Sequence, residues 1–192
     1  ISSAGDFNGD NINDIIIGAP DALLARVPNQ AGTSYIIFGK NSSTFEDIDL
    51  SILTPSQGFK IFGANNTDLS GFAVSGAGDI NNDNIDDIII SATYASLFNR
   101  TQAGVSYIIF GKNSSIFENI YLFNLSLRQG FKIFGAKSGD RIGESVAKVG
   151  DINGDKMADI IIGAPLANTF NNRTKAGESY VIFGKNSSTF ED

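Results

Sequence analysis

Cysteine and histidine are both absent from the 192 residues. Without them there are no disulfides, no thiol nucleophiles, no histidine-based triads and no zinc sites built on thiolate or imidazole, and the commonest general base is missing. No apolar run approaches the ~18 residues that a membrane-spanning helix needs. Basic charge is scarce as well: 14 Lys and Arg face 21 Asp and Glu, a net charge of −7. An acidic chain with no basic stripe repels phosphate backbones, so nucleic acid is not an expected partner. The chain begins at Ile1 with no initiator Met and no charged or apolar leader, which reads as an excised or processed piece. Lack of cysteine does not assign a compartment, since many exported proteins have no disulfides. It does mean that something other than crosslinks holds the fold. The nearest approach to a pair of catalytic carboxylates is Asp86-Asp87, and Asp87 has another use, so the chain does not read as an enzyme.

What the chain does have is Asp-x-Asn-x-Asp-x-x-x-Asp followed by Ile-Ile-Ile, three times over, starting at Asp6, Asp79 and Asp151 at intervals of 73 and 72 residues. Each copy places oxygen-bearing side chains at positions 1, 3, 5 and 9: Asp6, Asn8, Asp10 and Asp14; Asp79, Asn81, Asp83 and Asp87; Asp151, Asn153, Asp155 and Asp159. Hard oxygen ligands at alternating positions suit Ca²⁺, and position 7 (Ile12, Ile85 or Met157) can add a backbone carbonyl. Three structural calcium sites are therefore expected, and three bound ions would bring the charge from −7 to about −1. The loop is not an EF-hand: position 6 is Asn11, Asn84 or Lys156 in place of Gly, and position 12 is Ile17, Ile90 or Ile162 in place of Glu. The β-branched run that follows favours a strand, so the loop should join two strands. The competing reading is an Asx-rich turn that binds nothing. Four such residues at fixed spacing in three copies exceed what a turn requires.

Other segments recur on the same period. Ala31 to Ser43 returns as Ala103 to Ser115 and Ala176 to Ser188, and Gln57 to Ala64 returns as Gln129 to Ala136. Each unit reads as four short strands. The first is made of small residues (Phe72 to Gly78, Glu144 to Gly150). The second follows the loop (Asp14 to Gly18, Asp87 to Ser91, Asp159 to Gly163). The third covers Ser34 to Gly39, Ser106 to Gly111 and Ser179 to Gly184, and the fourth Gly58 to Gly63 and Gly130 to Gly135. The second and third are near-continuous apolar runs, a pattern of burial on both faces. Four-stranded units stacked face to face provide that burial, as the blades of a β-propeller do; a linear β-solenoid is the alternative, although ~72 residues is long for one of its coils.

Gly71-Phe-Ala-Val74 and Gly143-Glu-Ser-Val146, the loops, and Gly18-Ala19-Pro20 or Gly163-Ala164-Pro165 together resemble the FG-GAP repeat. The second copy departs from it, with Ser91-Ala92-Thr93 where Gly-Ala-Pro is expected. The resemblance covers essentially the whole chain. It implies blades of the seven-bladed propeller found at the head of integrin α subunits and in bacterial and protist surface proteins, and it matches the loop aspartates to that family's calcium positions. The expected fold is all-β: β-propeller-type blades of four antiparallel strands, an incomplete propeller or open array of about 2.7 repeats over residues 1–70, 71–142 and 143–192.

Asn-x-Ser/Thr sequons occur at Asn41, Asn65, Asn99, Asn113, Asn124, Asn172 and Asn186, several in loops flanking the third strand, where an N-glycan fits. An Asn- and Ser-rich chain also generates sequons freely. Tyr35, Tyr107 and Tyr180 have the position of inter-blade core more than of a sugar-stacking platform. Lys40, Lys112 and Lys185 should cover apolar surface with solvated heads. The resulting expectation is a calcium-stabilised scaffold outside the cell or at its surface that mediates adhesion by binding a protein or glycan. The alternative is a repeated structural subunit of a glycosylated filament or sheath, with copies joined end to end. The stretches that vary most between repeats, Asp21 to Gln30, Leu97 to Gln102 and Ala167 to Lys175, favour the first.

Overall fold

The computed structural model describes residues 1–22, 31–44, 46–168 and 173–186. The first unit contributes β1 (Ser2–Gly5), β2 (Asp14–Ala19), β3 (Thr33–Ile37) and β4 (Gly58–Phe62). The second contributes β5 (Ser70–Gly78), β6 (Asp87–Ala92), β7 (Val105–Ile109), β8 (Ile120–Tyr121) and β9 (Gly130–Phe134). The third contributes β10 (Ser145–Gly150), β11 (Asp159–Ala164) and β12 (Glu178–Ile182). Two short 3₁₀ turns, Leu50–Ile52 and Leu122–Asn124, are the only helical elements among the described residues.

The strands form three separate sheets, ordered β1-β2-β3-β4-β8, β5-β6-β7-β9 and β10-β11-β12, with no sheet closed on itself. Neighbours within a unit pair antiparallel, and Ile15↔Ile37 recurs as Ile88↔Ile109 and Ile160↔Ile182. The all-β expectation holds, and so does the stacking. Ile88, Ile89 and Ile90 of β6 are all fully buried, because β6 lies between two other sheets. One side packs with the first unit in a core that contains Ala4, Phe7, Ile36, Ile88, Ile90, Tyr107 and Ile109. The other packs with the third in a core of Ala77, Ile80, Ile89, Ile108, Ile160 and Ile162. Tyr107 is 1% exposed, so it is core and offers no face to a sugar.

The small-residue strands β1, β5 and β10 lie side by side. The approach is so close that a Cβ on Gly18 would lie 2.1 Å from the carbonyl oxygen of Gly71. The departure at Ser91, which occupies the place of Gly18, has a local reason: its hydroxyl accepts from the N–H of Ala73 (2.9 Å) and donates to the Ala73 carbonyl (3.2 Å), while Gly143 of the next unit leaves room for it.

Two details differ from the sequence reading. The third strand of each unit ends about two residues early, at Ile37, Ile109 and Ile182, because the N–H of the following Gly turns to a loop carboxylate. The first sheet also gains a fifth strand: β8, from the second unit, pairs in parallel with β4 through Ile61↔Ile120 and Phe62↔Tyr121.

Candidate metal centre

Each oxygen-rich loop joins the inner strand of a unit to the next strand. The turn into it is a bulge at a glycine of positive φ, where Gly5, Gly78 and Gly150 oppose Asp14, Asp87 and Asp159. Within the loop, position 6 is left-handed in every copy: Asn11 has φ 66°, Asn84 φ 66° and Lys156 φ 75°. Asn tolerates that conformation through its short polar side chain; Lys is less suited.

The side chains at positions 1, 3 and 5 converge. In the first loop the N–H of Asp10 donates at 2.9 Å to both Asp6 Oδ1 and Asn8 Oδ1, so these two oxygens flank one point. Asn8 Nδ2 reaches Asp10 Oδ2 at 3.1 Å, and Asp10 Oδ1 accepts from the N–H of Ile12 at 2.8 Å. The second loop repeats this with Asp83 donating to Asp79 and Asn81, and Asn81 to Asp83. The third repeats it with Asp155, Asp151 and Asn153. The position 7 residues Ile12, Ile85 and Met157 join through their N–H groups.

Position 9 is built differently. Asp14, Asp87 and Asp159 are buried, and each bridges two backbone N–H groups: Asp14 takes Phe7 and Gly39, Asp87 takes Ile80 and Gly111, and Asp159 takes Ile152 and Gly184, all at 2.8–3.0 Å. This carboxylate ties its own loop to the end of the third strand. Burial pushes Asp87 up to about 8, against the N–H groups that favour its charged form, and Asp83 and Asp79 add repulsion. Asp14 is raised to about 6, also mainly by burial. In the exposed third loop, backbone N–H groups led by that of Lys156 hold Asp151 below the usual carboxylate range.

Among the described residues no cluster of three or more Asp, Glu, His or Cys side chains is arranged to hold a metal ion as it stands. The oxygens at positions 1 and 5 are turned onto the loop's own N–H groups. The chemistry of the donor set nevertheless fits a hard divalent cation: it is all oxygen, part of the set is an amide, and a buried carboxylate carries unneutralised negative neighbours.

The loops also hold the sheets together, which the sequence reading missed. The carbonyl of Asp6 accepts from the N–H of Asp86 (3.2 Å), that of Phe7 from Lys112 (3.1 Å), and that of Asn8 from Ser114 (3.1 Å). One unit later, Asp79 accepts from Ala158 and Ile80 from Lys185, each at 2.9 Å. Each of these two loops is therefore also a junction with the next unit. Asp86 adds a side-chain contact, accepting from the N–H of Asp6 at 2.9 Å and facing Lys148 Nζ at 3.6 Å. No sequence signal marks this role, because its equivalents are Asn13 and Ala158. Asp86 is thus a junction residue.

Asn41, Asn65, Asn99, Asn113, Asn124 and Asn186 are all exposed, and Asn172 lies outside the described residues. Asn113 packs directly over Gly9 of the first loop. Lys112 Nζ sits 4.7 Å from the centre of the Phe117 ring, the apolar covering expected of it. Parts of the variable stretches, residues 23–30 and 169–172, also fall outside the described residues.

The model of the FG-GAP repeat matches residues 1–37, 70–109 and 143–182. Integrin alpha-4 of Xenopus laevis is 28% identical over 167 residues, covering 86% of this chain and 14% of that protein. Integrin alpha-8 of Gallus gallus is 26% identical over 200 residues, covering 95% of this chain and 16% of that protein. Integrin alpha-PS5 of Drosophila melanogaster is 35% identical over 91 residues, covering 47% of this chain and 8% of that protein. The chain thus spans about a sixth or less of the length of these relatives.

Proposed function

The chain belongs to the FG-GAP repeat family, and from that premise we propose that it is a calcium-stabilised module of a non-enzymatic adhesion protein. It acts outside the cell or at its surface and binds a protein or glycan ligand. Residues 1–192 form one array, divided at 1–70, 71–142 and 143–192. Calcium is held at positions 1, 3, 5, 7 and 9 of the three loops, with an affinity of the extracellular type, roughly 10⁻⁴ to 10⁻³ M. There it neutralises the carboxylates and fixes the turn between the first two strands of each unit. The exposed sequon asparagines carry N-glycans on this reading. No helix among the described residues is long and apolar enough to cross a membrane.

The observation that carries the reading is the convergence, three times over, of an Asp and an Asn oxygen on the N–H of the loop's next Asp, beside a buried carboxylate. The test is thermal unfolding in millimolar calcium and in excess chelator. A melting temperature that falls in chelator, and falls by a smaller amount in calcium for Asp83→Ala, which disables one of the three loops, supports it. An unchanged melting temperature with chelator would sink the calcium role. The adhesive part is tested by probing the immobilised chain with a panel of extracellular proteins and glycans. Binding that disappears when Leu97–Gln102 is replaced by a Gly/Ser loop supports it, and no binding across the panel counts against it.

A further inference from the structure

Charge is divided between the two ends of the strands. The oxygen-rich loops, with nine aspartates at positions 1, 5 and 9, lie at one end. The connections β6–β7 (93–104), β9–β10 (135–144) and β11–β12 (165–177) leave from the other, because neighbouring strands run antiparallel. These three carry Arg100, Lys137, Arg141, Arg173 and Lys175 against Asp140 and Glu144. Asp140 is 2% exposed and engaged by the N–H of Lys137, and Glu144 faces Arg141 at 4.0 Å. The matching connections of the first unit have no such excess, with Asp21 and Asp68 against Arg26. The five cations come from stretches far apart in the chain, so no basic run marks them; contacts bring the stretches together. Arg100 Nη1 donates to the carbonyl of Gly135 at 2.9 Å, and the N–H of Thr101 donates to Ser138 Oγ at 3.1 Å. The Arg141 guanidinium lies 4.3 Å from the centre of the Tyr94 ring, and its Nη2 reaches Gln102 Oε1 at 3.3 Å. Lys137 Nζ reaches the carbonyl of Asn168 at 3.4 Å, and Asn168 Oδ1 accepts from the N–H of Lys175 at 2.9 Å. Lys137, Arg173 and Lys175 are exposed.

We infer that this basic surface binds an anionic polysaccharide through sulfate or carboxylate groups on its sugars. The inference rests on the adhesive reading and gives its ligand a chemical class. Charge complementarity supplies the attraction, in a molecule whose net charge of −7 would otherwise repel such a polymer. The surroundings select a glycan over a protein. A protein interface is built on an apolar core, and Phe98 is the one exposed large apolar side chain among the described residues of these connections. It stands at the tip of a two-residue hairpin turn closed by Leu97 and Arg100, with φ 54° at Phe98 and 59° at Asn99. A single ring fixed there can seat one sugar ring on its face. Asn99, Thr101, Ser138 and Asn168, all exposed, offer amides and hydroxyls to sugar hydroxyls. The bonds at Arg100 and Arg141 hold both guanidinium groups in place before any ligand arrives, which lowers the entropic cost of binding.

The test passes the 192-residue chain, in calcium, over immobilised heparin, hyaluronan, neutral dextran, polyglutamate and duplex DNA. The chain carries Asn99→Gln and Asn172→Gln, which remove the sequons of the two loops. Heparin or hyaluronan should bind, dextran should not, and the affinity should fall as salt rises. Binding to heparin alone assigns sulfate as the recognised group, binding to hyaluronan shows that carboxylate suffices, and either supports the proposal. Reversing Lys137, Arg173 and Lys175 together to Glu should weaken binding roughly tenfold or more. Reversing Lys40, Lys112 and Arg128 to Glu, an equal charge change at exposed positions beside the oxygen-rich loops, should leave it unchanged. Phe98→Ala should weaken glycan binding several-fold, and circular dichroism checks that each variant keeps its fold. Equal losses in the two triple variants would mean that net charge alone governs binding and would overturn the proposal. Polyglutamate or DNA bound as tightly as the glycan would overturn it too, as would no binding to heparin and hyaluronan alike. In that last case the adhesive reading still stands if a neutral glycan or a protein binds and is lost with Leu97–Gln102, so the two fail separately.

Discussion

Both oxygens of Asp87 accept backbone N–H groups, one from Ile80 inside the loop and one from Gly111 beyond the neighbouring strand. A side chain with that double attachment supports the fold whether or not a metal is present. Asp83 is exposed and holds only atoms of its own loop, so it matters chiefly once a cation must be bound. The two positions should separate by experiment. Asp87→Ala leaves two buried N–H groups without partners and should cost about 3 kcal/mol or more in calcium and in chelator alike. Asp83→Ala should cost most of its effect in calcium only. Denaturant unfolding of both variants under both conditions checks this, and equal behaviour would mean that position 9 is no more than another ligand. Position 6 gives a change in the other direction. Lys156 holds φ 75°, a region that costs a side chain with a Cβ of its size. Lys156→Asn, the residue at the same place in the other two loops, should stabilise the third unit by about 0.5–1 kcal/mol, read as a rise in its unfolding midpoint.

At the scale of elements, β8 closes an edge. It lies on the outer side of β4, where Asn119 Oδ1 accepts from the N–H of Lys60 at 2.9 Å and Tyr121 stacks on Phe62 with ring centres 5.0 Å apart. An uncovered outer strand presents unpaired backbone groups, and the second unit covers that of the first. Asn119→Ala should therefore release the Lys60 amide to hydrogen exchange and lower stability by about 1 kcal/mol, with little effect on amides of β10 to β12; equal loosening of all three sheets would refute a local clasp. This element shows where sequence reading stops. The loops were legible because their donors fall within nine residues, and β2, β6 and β11 were legible because a run of three isoleucines has one plausible use. The clasp has only two strand residues, and its bond joins Asn119 to Lys60. The second role of Asp14, holding Gly39, likewise joins residues far apart in the chain. Such contacts are selected by stacking, and no local pattern records them. Position 6 was read only as lacking the glycine of an EF-hand, whereas the backbone there keeps the left-handed conformation that a glycine would have served.

Residues 1–192 form a series of stacked units, and the stability of that array should be a sum of unit terms and junction terms. The loops give that sum a calcium dependence that differs along the chain. The first loop bonds to Asp86, Lys112 and Ser114 of the second unit, and the second loop bonds to Ala158 and Lys185 of the third. Phe7 and Ile80 are fully buried in these junctions, while Ile152 of the third loop is 55% exposed. A cation that stiffens either of the first two loops therefore also stiffens the seat of the next sheet. In the third it stiffens only its own hairpin. Native-state hydrogen exchange on position 5 variants in calcium should resolve the difference. Asp10→Ala should speed exchange in β1 to β3 and in β6 and β7 across the first junction, and Asp83→Ala in β5 to β7 and in β11 and β12 across the second. Asp155→Ala should act on β10 to β12 alone, leaving Ile88 to Ile90 as protected as in the parent. If instead all three variants loosened every sheet to the same degree, the array would be one cooperative block, and the junctions would take no separate share of the calcium energy.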